Sequence, residues 1–486
     1  MQQGPLTAET HTGMVFLVGD RAYKVKKPVV TDFLDFSTLE SRERACAHEL
    51  ELNSRLAPDS YLGIGHFTPP GGGPGEPVLV MRRHPDERRL ATMVRRGDEV
   101  EPELGTIALV LARFHASAAR GREVDAEARV DAITARWAEN LAELKRYADG
   151  VVPGLEPDAV AETARLATDF IAGRAVLFAR RIAEHKIVDG HADLLADDIF
   201  CLDDGPALLD CLEFDDRLRY VDVIDDAAFL AMDLEFLGRP DLGRFFLQEY
   251  TRLSGDDAPA ALRDFYIAYR AVVRAKVDCV RYTQGHAEAA DDARAHLDIA
   301  RRHLRSGAVR LILVGGGPGT GKTTLARSLA ERIGAEVVST DDVRADMVRR
   351  GELTGSPGTL DEGLYSTANV DAVYDAVLRR AHLILCEGRS VILDGTWHDC
   401  GHRDAARRLA EDVSAVMLQF ACTATLDASV ARIRARTETT SQVTPEIATA
   451  LADRDEPAWR GAHRIDTSRP LADSVTEATE ICCLAI

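Results

Sequence analysis

The run Gly316-Gly317-Pro318-Gly319-Thr320-Gly321-Lys322-Thr323 fits the pattern GxxxxGK[ST] at every fixed position. These residue types suit one task, the holding of a nucleotide by its phosphates. Glycines at 316, 317, 319 and 321 let successive backbone N–H groups turn inward around phosphate oxygens. Thr320 and Thr324 flank that cradle as further nucleotide-binding positions. Lys322 has the reach to meet the β and γ oxygens, and the Thr323 hydroxyl suits Mg²⁺. An apolar run, VRLILV at 309–314, precedes the loop, and a helical pattern follows it to Ile333. A mere glycine-rich turn would not need that frame.

Downstream, the strand EVVST leads into Thr340-Asp341-Asp342-Val343-Arg344. A carboxylate at the carboxyl end of a parallel strand stands in the crevice where ligands bind. Asp341 could there take the proton of an attacking hydroxyl, and Arg344 could steer a phosphate or the acceptor. A helix-capping Asp beside a solvated Arg is the plain alternative. Asp394 ends the run SVILD and is placed to hold Mg²⁺ through water. Arg432 and Arg436 share one helix face, ahead of the polar stretch TETTSQVTP. Arg436 could close on the phosphates as lids do, although a charge run is also a common solvated face.

A second set lies far upstream. His191-Ala192-Asp193-Leu194-Leu195-Ala196-Asp197-Asp198 is followed, across a hairpin signal, by Asp210. An Asp that positions the acceptor hydroxyl (Asp193), a metal ligand five residues on (Asp198) and a second across a hairpin (Asp210) form a protein-kinase-like arrangement. The stretch AYKVKK supplies a strand lysine, Lys24 or Lys26, and the following helix supplies Glu49 as its partner. His115, at a helix end, reads as structural. Asp222, Asp225 and Asp226 suit either an anchor for the 191–198 loop or a helix N-terminus.

Residues 308–470 resemble the P-loop kinases of the gluconate-kinase, polynucleotide 5′-kinase and zeta-toxin type, an AAA-type ATP-binding fold. The resemblance rests on the complete phosphate loop, the DxxR of Asp341 and Arg344, SVILDGTW, and the arginine pair. It implies Asp341 as general base, Arg344 as substrate ligand, and ATP with Mg²⁺ as cofactors. Residues 12–300 resemble the aminoglycoside phosphotransferase and choline-kinase family. That family shows HGDxHxxN, where this chain has Ala192, Leu195 and Asp198. Asp can replace Asn as an oxygen ligand to Mg²⁺, at the cost of an extra negative charge. Only Thr12-Gly13 is available as a phosphate loop.

These groups need two scaffolds. In the first 80 residues MVFLV and RAYKVKK, joined at Gly19-Asp20, read as paired strands. Ser37-Thr38-Leu39-Glu40 reads as a capping box opening a helix to about Leu56, and VLVM at 78–81 as a further strand. Helical periodicity covers about 100–300, broken by the hairpin IFCL/ALLDCLEF. After Ser306-Gly307 strands alternate with helices, which implies a parallel sheet covered on both faces. The fold class expected is a protein-kinase-like α+β domain over 1–305 and an α/β P-loop domain over 306–486.

The 486 residues suit two to four domains at roughly 100–200 residues each. With 59 Lys and Arg against 79 Asp and Glu the formal charge is −20, which argues against general nucleic-acid binding. No run of 18 apolar residues suggests a membrane span, and no signal peptide is visible. The nine cysteines form no CxxC pair, so neither a disulfide framework nor a zinc site is expected. A cytoplasmic phosphotransferase with two nucleotide sites and a small-molecule acceptor fits best. A toxin-like P-loop kinase restrained by a degenerate N-terminal domain, or a nucleotide switch binding a protein partner, are the alternatives.

Overall fold

The computed structural model describes residues 6–9, 13–29, 35–68, 71–356, 362–435 and 459–485. Thr12, Arg436 and the polar stretch after it lie outside the described residues. By internal contacts the chain divides into two units. The first gathers Met1–Val160, Ala179–Ala258 and Tyr266–Arg301; the second gathers Ala161–Phe178, Pro259–Phe265 and Arg302–Ile486. No helix among the described residues is long and apolar enough to cross a membrane.

The first unit opens with five strands: β1 (Leu6–Glu9), β2 (Gly13–Val18), β3 (Arg21–Lys26), β4 (Tyr61–Phe67) and β5 (Glu76–Arg82). They form one antiparallel sheet in the order β1-β2-β3-β5-β4. Gly19 turns between β2 and β3 at φ 58°, a value glycine adopts without strain. The helix Leu39–Asn53 follows β3. Its cap is Thr38, whose hydroxyl accepts from Ser41 N, so the box expected from Ser37 to Glu40 does not form. Ser37 is instead turned onto Asp35, and Glu40 pairs with Arg44 one turn on.

Beyond the sheet the unit is largely helical, with two small antiparallel pairs. β6 (Ile187–Asp189) pairs with β9 (Tyr220–Asp222), and β7 (Ile199–Leu202) pairs with β8 (Gly205–Leu208). The second pair is the hairpin expected of IFCL and ALLDCLEF, with a return strand that starts earlier, at Gly205, and ends at Leu208. The buried helix Val223–Phe236 packs beneath and is capped by Asp222, which accepts from Ile224 N.

The second unit is built on β10 (Arg310–Gly315), β11 (Glu336–Ser339), β12 (Val391–Asp394), β13 (Val416–Thr423) and β14 (His463–Asp466). All are parallel, in the order β11-β12-β10-β13-β14. Leu311, Leu313 and Leu393 enter one buried cluster, while Ile312, Val314, Ile392 and Phe420 enter another. Alternate residues thus bury on opposite faces, the reason β10 and β12 read as continuous apolar runs. Residues 161–178 belong to this packing: a Cβ on Gly173 would stand 2.0 Å from Val413 O. The next residue, Arg174, is 1% exposed and donates to the same oxygen at 2.8 Å.

Candidate active sites

In the first unit β3 sets Lys24 and Lys26 two residues apart, hence on one face of the sheet. The helix Leu39–Asn53 brings Glu49 beneath them, fully buried. Lys24 Nζ lies 2.7 Å from Glu49 Oε1 and 2.8 Å from Asp210 Oδ1. Lys26 Nζ lies 2.6 Å from Glu49 Oε2 and 2.7 Å from Glu213 Oε1. The strand lysine and the helix glutamate therefore meet, and both lysines share that glutamate. Burial alone would lower the Lys24 ammonium, but the charges of Asp210 and Glu49 outweigh it and hold its pKa well above the usual value.

Asp210 follows β8 at φ 61°, a left-handed conformation that ends the strand. Tyr61 OH accepts from its backbone N–H at 3.2 Å, and Asn53 Oδ1 accepts from Cys211 N at 2.8 Å. Lys24 holds the Asp210 carboxyl below its ordinary pKa, against the opposing effect of burial.

The 191–198 loop is anchored from below by Asp226. Its carboxylate accepts from His191 N at 2.7 Å and from Ala192 N at 2.8 Å. Ala192 sits at φ 65°, where the related motif carries glycine. A Cβ on the preceding Gly190 would stand 2.5 Å from Asp226 Oδ2, so that position excludes a side chain. Arg270 Nη1 donates to Ala192 O at 3.1 Å while its guanidinium grips Asp225 at 2.6 and 2.8 Å. His115 is buried between Asp226 (2.9 Å) and Tyr250 OH (2.6 Å), a positioning role behind the loop. Of the acidic cluster, Asp226 is the anchor, Asp225 its arginine-paired neighbour and Asp222 the helix cap.

Asp193, Asp198 and Asp210 fall within electrostatic reach of one another. Burial, then Asp210 and Asp193, push Asp198 well above the ordinary carboxylate range. Burial raises Asp193 to about 6, with Arg274 opposing and Asp210 reinforcing. Crowded carboxylates that resist ionisation describe a site short of positive charge, which suits Mg²⁺ and its preference for oxygen ligands. Asp210 is turned onto Lys24, and among the described residues no three His, Cys, Asp or Glu side chains stand together as a ready metal centre.

In the second unit the phosphate loop links β10 to the helix Lys322–Ile333, with Gly321 as its cap at φ 84°. A Cβ on Gly316 would stand 2.6 Å from Cys422 O, and one on Gly319 would stand 2.5 Å from Ser429 O. Both positions are closed to side chains by neighbouring backbone. Thr320 Oγ1 donates to Gly317 O at 2.8 Å across the loop. Arg432 is tied to Thr467 O at 2.7 Å, and Thr467 Oγ1 donates to Thr320 O at 2.5 Å. Arg432 therefore braces the loop from behind.

Register places the remaining groups. Asp394 of β12 lies opposite Val314 of β10 and Ser339 of β11, so all three strands end together beside the loop. Thr323 Oγ1 donates to Asp394 Oδ2 at 2.7 Å. Asp394 is 3% exposed, and its Oδ1 has no hydrogen-bond partner. Burial raises its pKa, with Lys322 opposing. A buried orphan carboxylate oxygen beside a threonine hydroxyl is a donor set that fits Mg²⁺.

Asp341 lies two residues beyond the end of β11. Its Oδ1 is 2.9 Å from Arg344 Nη1, whose guanidinium covers the Tyr365 ring at 4.6 Å. The helix Thr340–Arg349 is capped by Ser339, whose hydroxyl accepts from Asp341 N, so Asp341 is not the cap. Tyr374 OH accepts from Trp397 N at 3.1 Å and fixes the loop after Asp394. Sequence reasoning missed Ser339, Tyr374, Asn53 and Glu213. The pattern S-T-D-D allowed several caps, and the others are isolated residues whose partners lie far along the chain.

A family model described as an AAA domain matches residues 311–457. An uncharacterized protein of Mycobacterium tuberculosis is 60% identical over 473 residues, covering 97% of this chain and 94% of that protein. A shikimate kinase of Thermobifida fusca is 30% identical over 162 residues, covering 29% of this chain and 92% of that enzyme. Among solved structures, a choline/ethanolamine kinase family protein of Mesorhizobium loti is 15% identical with a TM-score of 0.38, covering 62% of this chain and 93% of that one.

Proposed function

Because this chain belongs to one family with the mycobacterial protein that shares 60% of its residues, and carries a P-loop kinase domain at its C-terminal end, we propose that it is an ATP-dependent phosphotransferase with two nucleotide sites. The observation that carries the reading is the convergence of the phosphate loop, Asp394 and Asp341 at the carboxyl ends of β10, β12 and β11. In the second unit the loop amides and Lys322 bind and orient the triphosphate. Asp341 accepts the proton of the acceptor hydroxyl, and Arg344 orients the acceptor or the transferred group. Thr323 and Asp394 would hold Mg²⁺, which when bound neutralises charge on the phosphates. In the first unit Lys24 would bind phosphate, Asp193 would orient the acceptor hydroxyl, and Asp198 and Asp210 would hold the metal. The acceptors are small hydroxyl compounds, and the work of each site is positioning plus electrostatics.

A second reading has the first unit as a degenerate nucleotide binder that restrains the P-loop kinase or recruits a protein partner. The departures from HGDxHxxN at Ala192, Leu195 and Asp198 favour it. The test is an ATP-consumption screen of a metabolite library on the full chain and on Lys322→Ala and Asp210→Ala. Two acceptors, each lost in a different variant, would establish two kinases. A single acceptor lost only in Lys322→Ala would favour restraint. No acceptor for either site would overturn the phosphotransferase reading.

A further inference from the structure

We propose that Lys26, clamped between Glu49 and Glu213, is a positioning residue of the N-terminal nucleotide site, and that Lys24 alone is the lysine that meets the phosphates. The proposal rests on the first unit being a nucleotide site. Sequence alone leaves the two lysines equivalent, since both lie on one face of β3.

Their surroundings separate them. The Lys24 side chain keeps 10% exposure, and its partner Asp210 keeps 45%, so this pair lies at the open side of the cluster. The Lys26 side chain is 1% exposed. Its ammonium lies between Glu49 Oε2 and Glu213 Oε1 and 5.6 Å from the centre of the Phe36 ring. A triphosphate could displace Asp210 from Lys24, but it has no path to Lys26.

Glu49 gives one oxygen to each lysine. With a single cationic partner, a buried carboxylate could rotate and leave one oxygen facing no charge, at a substantial desolvation cost. Lys26 removes that freedom, so Glu49 stays in place while Lys24 exchanges Asp210 for phosphate. Lys26 also sets the local charge. Two lysines against Glu49, Asp210 and Glu213 leave the cluster at −1, and without Lys26 it would stand at −2, next to Asp193 and Asp198. Glu213, three residues beyond Asp210, completes the clamp.

The test uses the full chain carrying Lys322→Ala, which silences the P-loop site, and titrates ATP with Mg²⁺ by calorimetry. Adding Lys24→Met is expected to weaken binding at least about tenfold. Adding Lys26→Met together with Glu213→Gln removes the clamp; it is expected to lower melting modestly, since the buried Glu49 Oε2 loses its cation, and to weaken binding about three- to tenfold. In a Glu49→Gln background the same double change is expected to cost nothing further, because Lys26 acts through Glu49. Lys26→Arg keeps the charge and both carboxylate partners, and is expected to bind ATP within about twofold of the parent. Undiminished binding in Lys24→Met with loss in the Lys26 double variant would reverse the two roles. Full additivity with Glu49→Gln, or a tenfold loss in Lys26→Arg at unchanged melting, would overturn the positioning role. Absence of any ATP binding by the Lys322→Ala parent would instead bring down the nucleotide-site reading beneath it.

Discussion

Thr323 donates a 2.7 Å hydrogen bond to Asp394, joining two residues 71 positions apart. The strand register makes that bond possible, because Asp394 and Val314 lie side by side where β12 and β10 end. The hydroxyl is the first side chain after Lys322, so the phosphate loop and the buried carboxylate are one assembly rather than two motifs. Replacing Thr323 with Ala would take that hydrogen bond from a buried Asp394 carboxylate whose Oδ1 already has no partner, a cost of about 1–3 kcal/mol.

Lys322→Ala is expected to abolish phosphoryl transfer by the second unit. The lysine is the cation of the GxxxxGK[ST] loop and already acts electrostatically on Asp394. The assay belongs on the full chain, because residues 161–178 and 259–265 pack with this unit. Turnover of the P-loop acceptor at the parent rate would show that the loop does not cradle the reacting phosphates.

Asp341→Asn is expected to lower transfer at the same site by about 10²–10⁴-fold, the usual worth of a general base, with ATP affinity little changed. Since Ser339 supplies the helix cap, the melting temperature is expected to stay put. A stable variant that transfers at the parent rate would leave Asp341 as the ion-pair partner of Arg344 and nothing more.

The second unit was legible because its physics is local. Strands buried on both faces read as apolar runs, and glycines at 316, 319 and 321 take the positive φ that the turn of the loop requires. The first unit was legible in its hairpins and in Lys24, Glu49 and Asp210, yet β4 was not. Gly63, Gly65 and His66 hide its alternation, and its register shifts between Tyr61 and Gly63. Thr38 rather than Ser37 caps the following helix because Asp35 occupies Ser37, a contact outside any capping pattern. Nothing local marks Gly173 and Arg174 as part of the second unit. Their partner is Val413, more than two hundred residues away.

Asp226→Ala is expected to destabilise the first unit by about 3–5 kcal/mol, as removal of one partner from a buried ionic network does. It strips the acceptor from His191 N, Ala192 N and His115 together. Burial alone would raise the Asp226 pKa, but the His115 hydrogen bond and charge outweigh it and leave it far below the usual value. A folded-state pKa below the unfolded one contributes stability above the unfolded value and loses it as pH falls through the folded one. The parent should therefore lose more stability than the variant between about pH 4 and lower pH. Denaturant melts of both proteins across that range check it, and parallel curves would remove Asp226 from the account.

The pH profile of the first site follows from Asp193, raised to about 6 by burial, with Arg274 and Arg270 opposing and Asp210 and Glu213 reinforcing. If Asp193 must be ionised to orient the acceptor, transfer by this site falls about tenfold per pH unit below its folded pKa, which burial raises to about 6 before metal binds. Metal binding at Asp210 would offset one of the charges that reinforce the shift and move the fall to lower pH. The same crowding makes ATP without metal a poor ligand. Asp198→Asn restores an amide, removes one charge and is expected to weaken the Mg²⁺ dependence of ATP binding without abolishing binding. Asp210→Ala is expected to abolish the metal-dependent part, because it removes the proposed metal ligand, the carboxylate that Lys24 holds in place. Titrations with and without Mg²⁺, on chains whose P-loop site is silenced by Lys322→Ala, measure each term. Nucleotide binding that ignores metal and survives Asp210→Ala would make the first unit a nucleotide sensor, and its carboxylates would then serve restraint rather than transfer.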